Sequence, residues 1–151
     1  MAKMQVGVIG CGACDNKTEM IAEEIGRELA IRGVLVICGG LEGVMEACAR
    51  GAKRQGGTTI GILPGNSRED ANRYIDYQIV TNMGHARNAI VVASSDVVIA
   101  VGGEYGTLSE IALALKMGKQ VVTIECKWEV DGIIQANDPV EAVDLALNAI
   151  A

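Results

Sequence analysis

Short runs of β-branched and aliphatic residues alternate along this chain with longer stretches in which apolar residues recur every three or four positions. The run Gln5–Gly10 (QVGVIG) predicts a buried strand, followed by the turn CGACDN. Ile21, Ile25 and Leu29 then share one face of a helix predicted from about Lys17 to Arg32. Asn16, with Glu19 three residues on, has the spacing of an N-terminal capping box, and Gly33 has the place of a C′ stop. Val34–Cys38 (VLVIC) predicts the second strand. Gly39 and Gly40 open a second helix with Leu41, Val44, Met45 and Cys48 at helical spacing, Gly56-Gly57 closes it, and Thr58–Leu63 predicts strand three. Farther on, Asp96–Val101 and Gln120–Ile124 read as strands. A helix marked by Leu108, Ile111, Ala112 and Leu115 lies between them and ends at Gly118, and a last helix runs from about Pro139 to Ile150.

The segment from Pro64 to Asp96 breaks this rhythm. It begins polar (PGNSREDANRY), carries a short strand near Ile75–Val80 and ends in a helix from about Gly84 to Ala93. Such a stretch serves equally well as a ligand-contacting lid or as a plain surface connection. Strands and helices alternating at this spacing form right-handed βαβ units. The expectation is α/β: a single Rossmann-like three-layer domain over residues 1–151, with a mostly parallel sheet.

Composition narrows the function classes. Half the residues are apolar but only 3% are aromatic, so Val, Ile, Leu, Ala and Met must build the core. The net charge of −6 disfavours a nucleic-acid partner, which would demand clustered Lys and Arg. It leaves room for a small anion held by backbone N–H groups. No apolar run is long enough for a membrane span and no signal peptide is recognisable, so a cytoplasmic location is expected. Five cysteines in such a chain are expected as reduced thiols. The C-x-x-C of Cys11 and Cys14, with Cys38 nearby, reads as small core thiols before it reads as a metal site or redox pair.

In open parallel sheets, ligands sit beyond the carboxyl ends of the strands, and four turns fall there. Gly10 and Gly12 follow strand one but lack the full G-x-G-x-x-G of a dinucleotide site. Gly39, Gly40 and Gly43, followed by Met45, lead a strand into a helix, as an anion site or simply as a tight turn. Gly102, Gly103, Gly106 and Thr107 do the same, with Thr107 and Glu110 spaced as a capping box that needs no ligand. Arg87, in the segment Met83–Asn88, could carry a cation to the same sheet edge or stay a solvated surface charge. His85, the single histidine, reads as structural.

Taken together these segments resemble the LONELY GUY-like superfamily, formerly mislabelled as lysine decarboxylases. It includes cytokinin-riboside-monophosphate phosphoribohydrolases, molybdenum-cofactor carrier proteins and, more distantly, the Rossmann part of DNA-processing protein A. GGLEGVMEACARGA (Gly39–Ala52) is similar to the family's first glycine turn, GHARN (Gly84–Asn88) to its Arg-bearing segment, and GEYGTLSE (Gly103–Glu110) to its PGGxGTxxE signature. The resemblance covers nearly the whole chain and is nearest to the short carrier-like branch. It implies Arg87 and Glu110 as the hydrolases' catalytic pair and Gly103, Gly106 and Thr107 as a phosphate cradle. It also implies a bound nucleotide or molybdenum cofactor as ligand, no required cofactor and no metal site, and a homodimer or homotetramer, for which the aliphatic helix Leu108–Leu115 offers a face. Gly102 stands where the hydrolases have Pro, Glu104 replaces their second glycine and Asn88 replaces the Lys that often follows the Arg; these departures favour binding over cleavage. Two readings follow: a carrier of a phosphorylated pterin-type cofactor or nucleotide, and a hydrolase cleaving the N-glycosidic bond of a nucleoside 5′-monophosphate.

Overall fold

Apolar runs that alternate with amphipathic helices must be covered on both faces, and the computed structural model, which describes residues 3–150, meets that demand with one sheet. Its strands are β1 (Gln5–Gly10), β2 (Leu35–Cys38), β3 (Thr59–Leu63), β4 (Tyr77–Val80), β5 (Val97–Val101), β6 (Gln120–Ile124) and β7 (Ile133–Gln135). They lie in the order β4-β3-β2-β1-β5-β6-β7, and every neighbouring pair is parallel. Helices α1 (Asn16–Ile31), α2 (Val44–Arg54) and α5 (Pro139–Ala149) cover one face; α3 (Arg87–Ala93) and α4 (Tyr105–Lys116) cover the other. Side chains alternate accordingly: Val97, Ile99 and Val101 of β5 enter the first layer's core, Val98 and Ala100 the second's. The chain winds outward from β1 toward β4 and from β5 toward β7. The crevice between the carboxyl ends of β1 and β5 is therefore the point where the winding reverses.

Several boundaries differ from the sequence reading, each for a local reason. Asp15 rather than Asn16 caps α1, its Oδ1 accepting from the Thr18 N–H at 2.8 Å. The second helix begins at Val44, because Gly40 and Gly43 have positive φ and hold the turn out of helical geometry. Thr107 does not cap α4. The helix starts at Tyr105, so Thr107 and Glu110 lie inside it on one face, both buried. Strand β7 went unpredicted because three residues at a sheet edge carry almost no periodic signal.

Helices α1 and α2 cross in backbone contact. A Cβ on Gly51 would lie 1.9 Å from the Glu23 carbonyl oxygen, and one on Gly26 1.9 Å from that of Cys48. Neither oxygen can yield without moving a helix. Gly51→Ala is expected to destabilise the fold by about 2 kcal/mol or more through overpacking, read as a fall in Tm; an unchanged Tm would show that the crossing accommodates a methyl group.

Candidate functional site

The carboxyl ends of β1 and β5 open into a cavity of about 330 Å³, the size of a small-ligand site. Eight of the sequence-predicted site residues line it: Gly10, Gly12, Gly39, Met45, Arg87, Gly106, Thr107 and Glu110. Gly40, Gly43, Gly102 and Gly103 lie behind the lining and shape the turns. Gly103, for example, has φ +111°, and a Cβ there would fall 2.4 Å from the Thr107 hydroxyl. His85 is exposed and outside the cavity. Among lining residues not predicted as ligand contacts, Asn88 and Glu104 were visible as departures from the family pattern, whereas Cys11 and Ala13 gave no signal beyond their adjacency to Gly12.

Arg87 is the cation of this site. It opens α3 after a 3₁₀ turn at Gly84–Ala86, which delivers the side chain back over the ends of β2 and β3. Its Nε donates to the Ile62 carbonyl at 2.9 Å, Nη2 to the Gly39 carbonyl at 3.3 Å, and Nη1 to Asn88 Oδ1. Gly39 must lack a side chain here, since a Cβ would come within 2.6 Å of Nη2 and 2.7 Å of Met45 Sδ. Only 8% of Arg87 is exposed, so the solvated surface charge allowed by the sequence is excluded. Burial pulls its pKa down while Glu110 and Cys38 oppose that shift.

Glu110 is the matching acid. It projects from α4 into the cavity with 9% of its surface exposed. Burial pushes its carboxyl pKa up to about 7, against the pull of the Arg87 charge. Among the described residues no carboxylate approaches Arg87 to within 4.0 Å, so the two act across the cavity and not as a direct ion pair. Glu104, whose charge would oppose an anion at the cavity's edge, is met by Lys127 Nζ at 2.7 Å on the exposed rim. Cys38 lies beneath the Gly39–Gly40 turn, where burial raises its thiol pKa to about 11 and makes it a neutral packing group.

Cys11 and Cys14, expected as reduced thiols, are instead joined in a disulfide. The turn between β1 and α1 brings their Cα atoms to 5.9 Å, within bridging range. Cys38, Cys48 and Cys126 are free.

An open parallel sheet with glycine turns, a buried arginine and a buried acid at its reversal point defines a Rossmann-like protein of the LONELY GUY and molybdenum-cofactor-carrier type. More particularly, the chain belongs to the SLOG cluster4 family, whose model matches residues 3–148. It is 48% identical over 149 residues to an uncharacterized protein of Archaeoglobus fulgidus, covering 99% of this chain and 98% of that one. It is 34% identical over 134 residues to the cytokinin riboside 5′-monophosphate phosphoribohydrolase of Mycobacterium tuberculosis, covering 82% and 72% respectively. The molybdenum cofactor binding protein of Rippkaea orientalis superposes with a TM-score of 0.95 at 37% identity, covering 100% of this chain and 99% of the other. Among the described residues, no helix is long and apolar enough to cross a membrane.

Proposed function

We propose that this chain binds a phosphate-bearing small molecule, a nucleotide or a pterin-type cofactor such as the molybdenum cofactor, and holds it without chemistry. The observation that carries the reading is a buried guanidinium with no carboxylate in ion-pair contact among the described residues. A buried cation without a partner is unfavourable, and an anionic ligand supplies what the protein leaves out. Three of the five Arg87 N–H groups are used within the protein, and the other two are left for phosphate oxygens. Gly106 and Thr107, in the first turn of α4, offer backbone N–H groups and the positive end of the helix dipole. Whole-chain similarity to a molybdenum cofactor binding protein supports the carrier role.

One observation favours the second reading, nucleoside monophosphate hydrolysis. A buried carboxyl with a pKa of about 7, lining the cavity, is poised to move a proton at neutral pH. In a glycosidic cleavage Glu110 would direct water or stabilise the oxocarbenium-like state, with Arg87 on the phosphate. Incubation with AMP, GMP, IMP and CMP, followed by chromatography for free base, separates the two. The carrier reading expects no base above background, together with a phosphorylated molecule that co-purifies and is identified by native mass spectrometry. Clear hydrolysis, abolished in both Glu110→Gln and Arg87→Ala, would transfer the assignment to the hydrolase.

A further inference from the structure

We propose that the Cys11–Cys14 pair is a thiol–disulfide exchange site, and that its redox state sets how firmly the β1 wall of the cavity is held. The cavity is the one on which the proposed function rests, but the exchange chemistry and the order of the loop can be read without any ligand.

The pair sits where strand β1 hands over to α1, and the residues it brackets form part of the cavity. Gly10, Cys11, Gly12 and Ala13 all line it. Beyond the packing of the Cys11 and Cys14 side chains against the core, little else fastens this loop. Gly12 and Ala13 are exposed, and a Cβ built on Gly12 meets nothing within 4 Å. The loop's tie to the rest of the fold is the Cys11 carbonyl, which accepts from the Val44 N–H at 3.0 Å at the start of α2. Gly43 packs so closely there that a Cβ on it would lie 2.2 Å from that same carbonyl oxygen. The Cys11–Cys14 ring therefore orders the segment that docks one glycine turn against the next.

Two observations mark the bond as reversible and not as a structural staple. A bridge between residues three apart closes a very short loop and removes little entropy from the unfolded chain, so it contributes little to holding the fold. The exposed loop between the two sulfurs leaves a path for a reductant. The three other cysteines are free, and two of them are buried, so exchange is directed to this pair.

The reductant is a dithiol. Its thiolate attacks one sulfur of the pair; the Cys11–Cys14 bond breaks, and its electron pair leaves on the other sulfur, which takes a proton. The second thiol of the reductant, as thiolate, then attacks the reductant's own sulfur in the mixed disulfide; that bond breaks, and the released cysteine sulfur takes the second proton. Two electrons and two protons have passed to the cysteines, and the reductant departs as a disulfide. With the ring open, the backbone of Cys11–Ala13, beyond the sheet pairing that ends at Gly10, is held chiefly by the Val44 contact, and the cavity loses its ordered wall.

Alkylation of protein purified without reductant and then denatured should find three free thiols, those of Cys38, Cys48 and Cys126; five would overturn the proposal. Reduction of the native protein with dithiothreitol should speed amide hydrogen exchange at residues 10–14 and 43–46 by about tenfold while leaving β5 and β6 unchanged. Equal exchange in the two states would overturn it. With AMP as the probe, titration calorimetry should show affinity falling about fivefold or more on reduction, with Cys14→Ser behaving as the reduced form in either buffer. Cys14→Ser that binds like oxidised wild type would overturn the link to the cavity. If AMP binds neither redox form, the functional reading fails, and the hydrogen-exchange comparison still decides this one.

Discussion

Arg87→Ala lowers affinity for AMP or inorganic phosphate by about 100-fold or more. A charge-assisted, partly desolvated contact to phosphate is worth about 3 kcal/mol, and among the described residues no other cation lines the cavity to replace it. Stability should fall much less. The Ile62 and Gly39 carbonyls lose a donor, but the unfavourable burial of the guanidinium disappears with it. Arg87→Lys is the informative companion. It keeps the charge but cannot make the fork of three hydrogen bonds that fixes the guanidinium, so an intermediate affinity is expected. Titration calorimetry checks both variants. Affinities within about threefold of wild type for Arg87→Ala would remove the guanidinium from the binding account.

Glu110→Gln stabilises the ligand-free protein, by an amount that grows as pH rises from 4.5 to 7 and is full above that. The folded-state pKa of Glu110 is raised from 4.5 to about 7, chiefly by burial. Below pH 4.5 the carboxyl is protonated folded or unfolded and nothing is lost. As pH rises toward 7 the unfolded chain ionises first, and above that the folded state carries the whole cost of a buried charge. That cost is about 3 kcal/mol. Glutamine is neutral throughout. The variant should therefore match wild type near pH 4 and exceed its Tm by roughly 10 °C at pH 8. A pH-independent difference, or a less stable variant, would show that Glu110 is not desolvated as described. Such a gain would mean that the site keeps a carboxyl at the expense of stability, a pattern expected of a functional group. Had Glu110 been the third residue of a capping box, as its spacing from Thr107 suggested, the same substitution would have changed stability by well under that amount.

The one-dimensional pattern carried most of this protein. The order of strands and helices, the parallel sheet and the glycine turns followed from two periodicities and from the residues that interrupt them, because core burial forces apolar side chains onto predictable faces. Arg87 and Glu110 were legible through family resemblance, yet the chemistry that distinguishes them was not. That Arg87 is buried beneath Gly39 and tied to a carbonyl of β3 and to one in the turn after β2 depends on contacts 25 and 48 residues away. The raised pKa of Glu110 depends on desolvation by elements it does not share. The sequence left Thr107 between a cap and a ligand contact, because a T-x-x-E spacing is the same at a helix start and inside the first turns, and only the position of Tyr105 excludes the cap. The Cys11–Cys14 bond escaped for a related reason. A C-x-x-C bridges or stays open according to how a turn brings two Cα atoms together, and the docking of that turn on Gly43, just ahead of a different helix, was decided by tertiary packing.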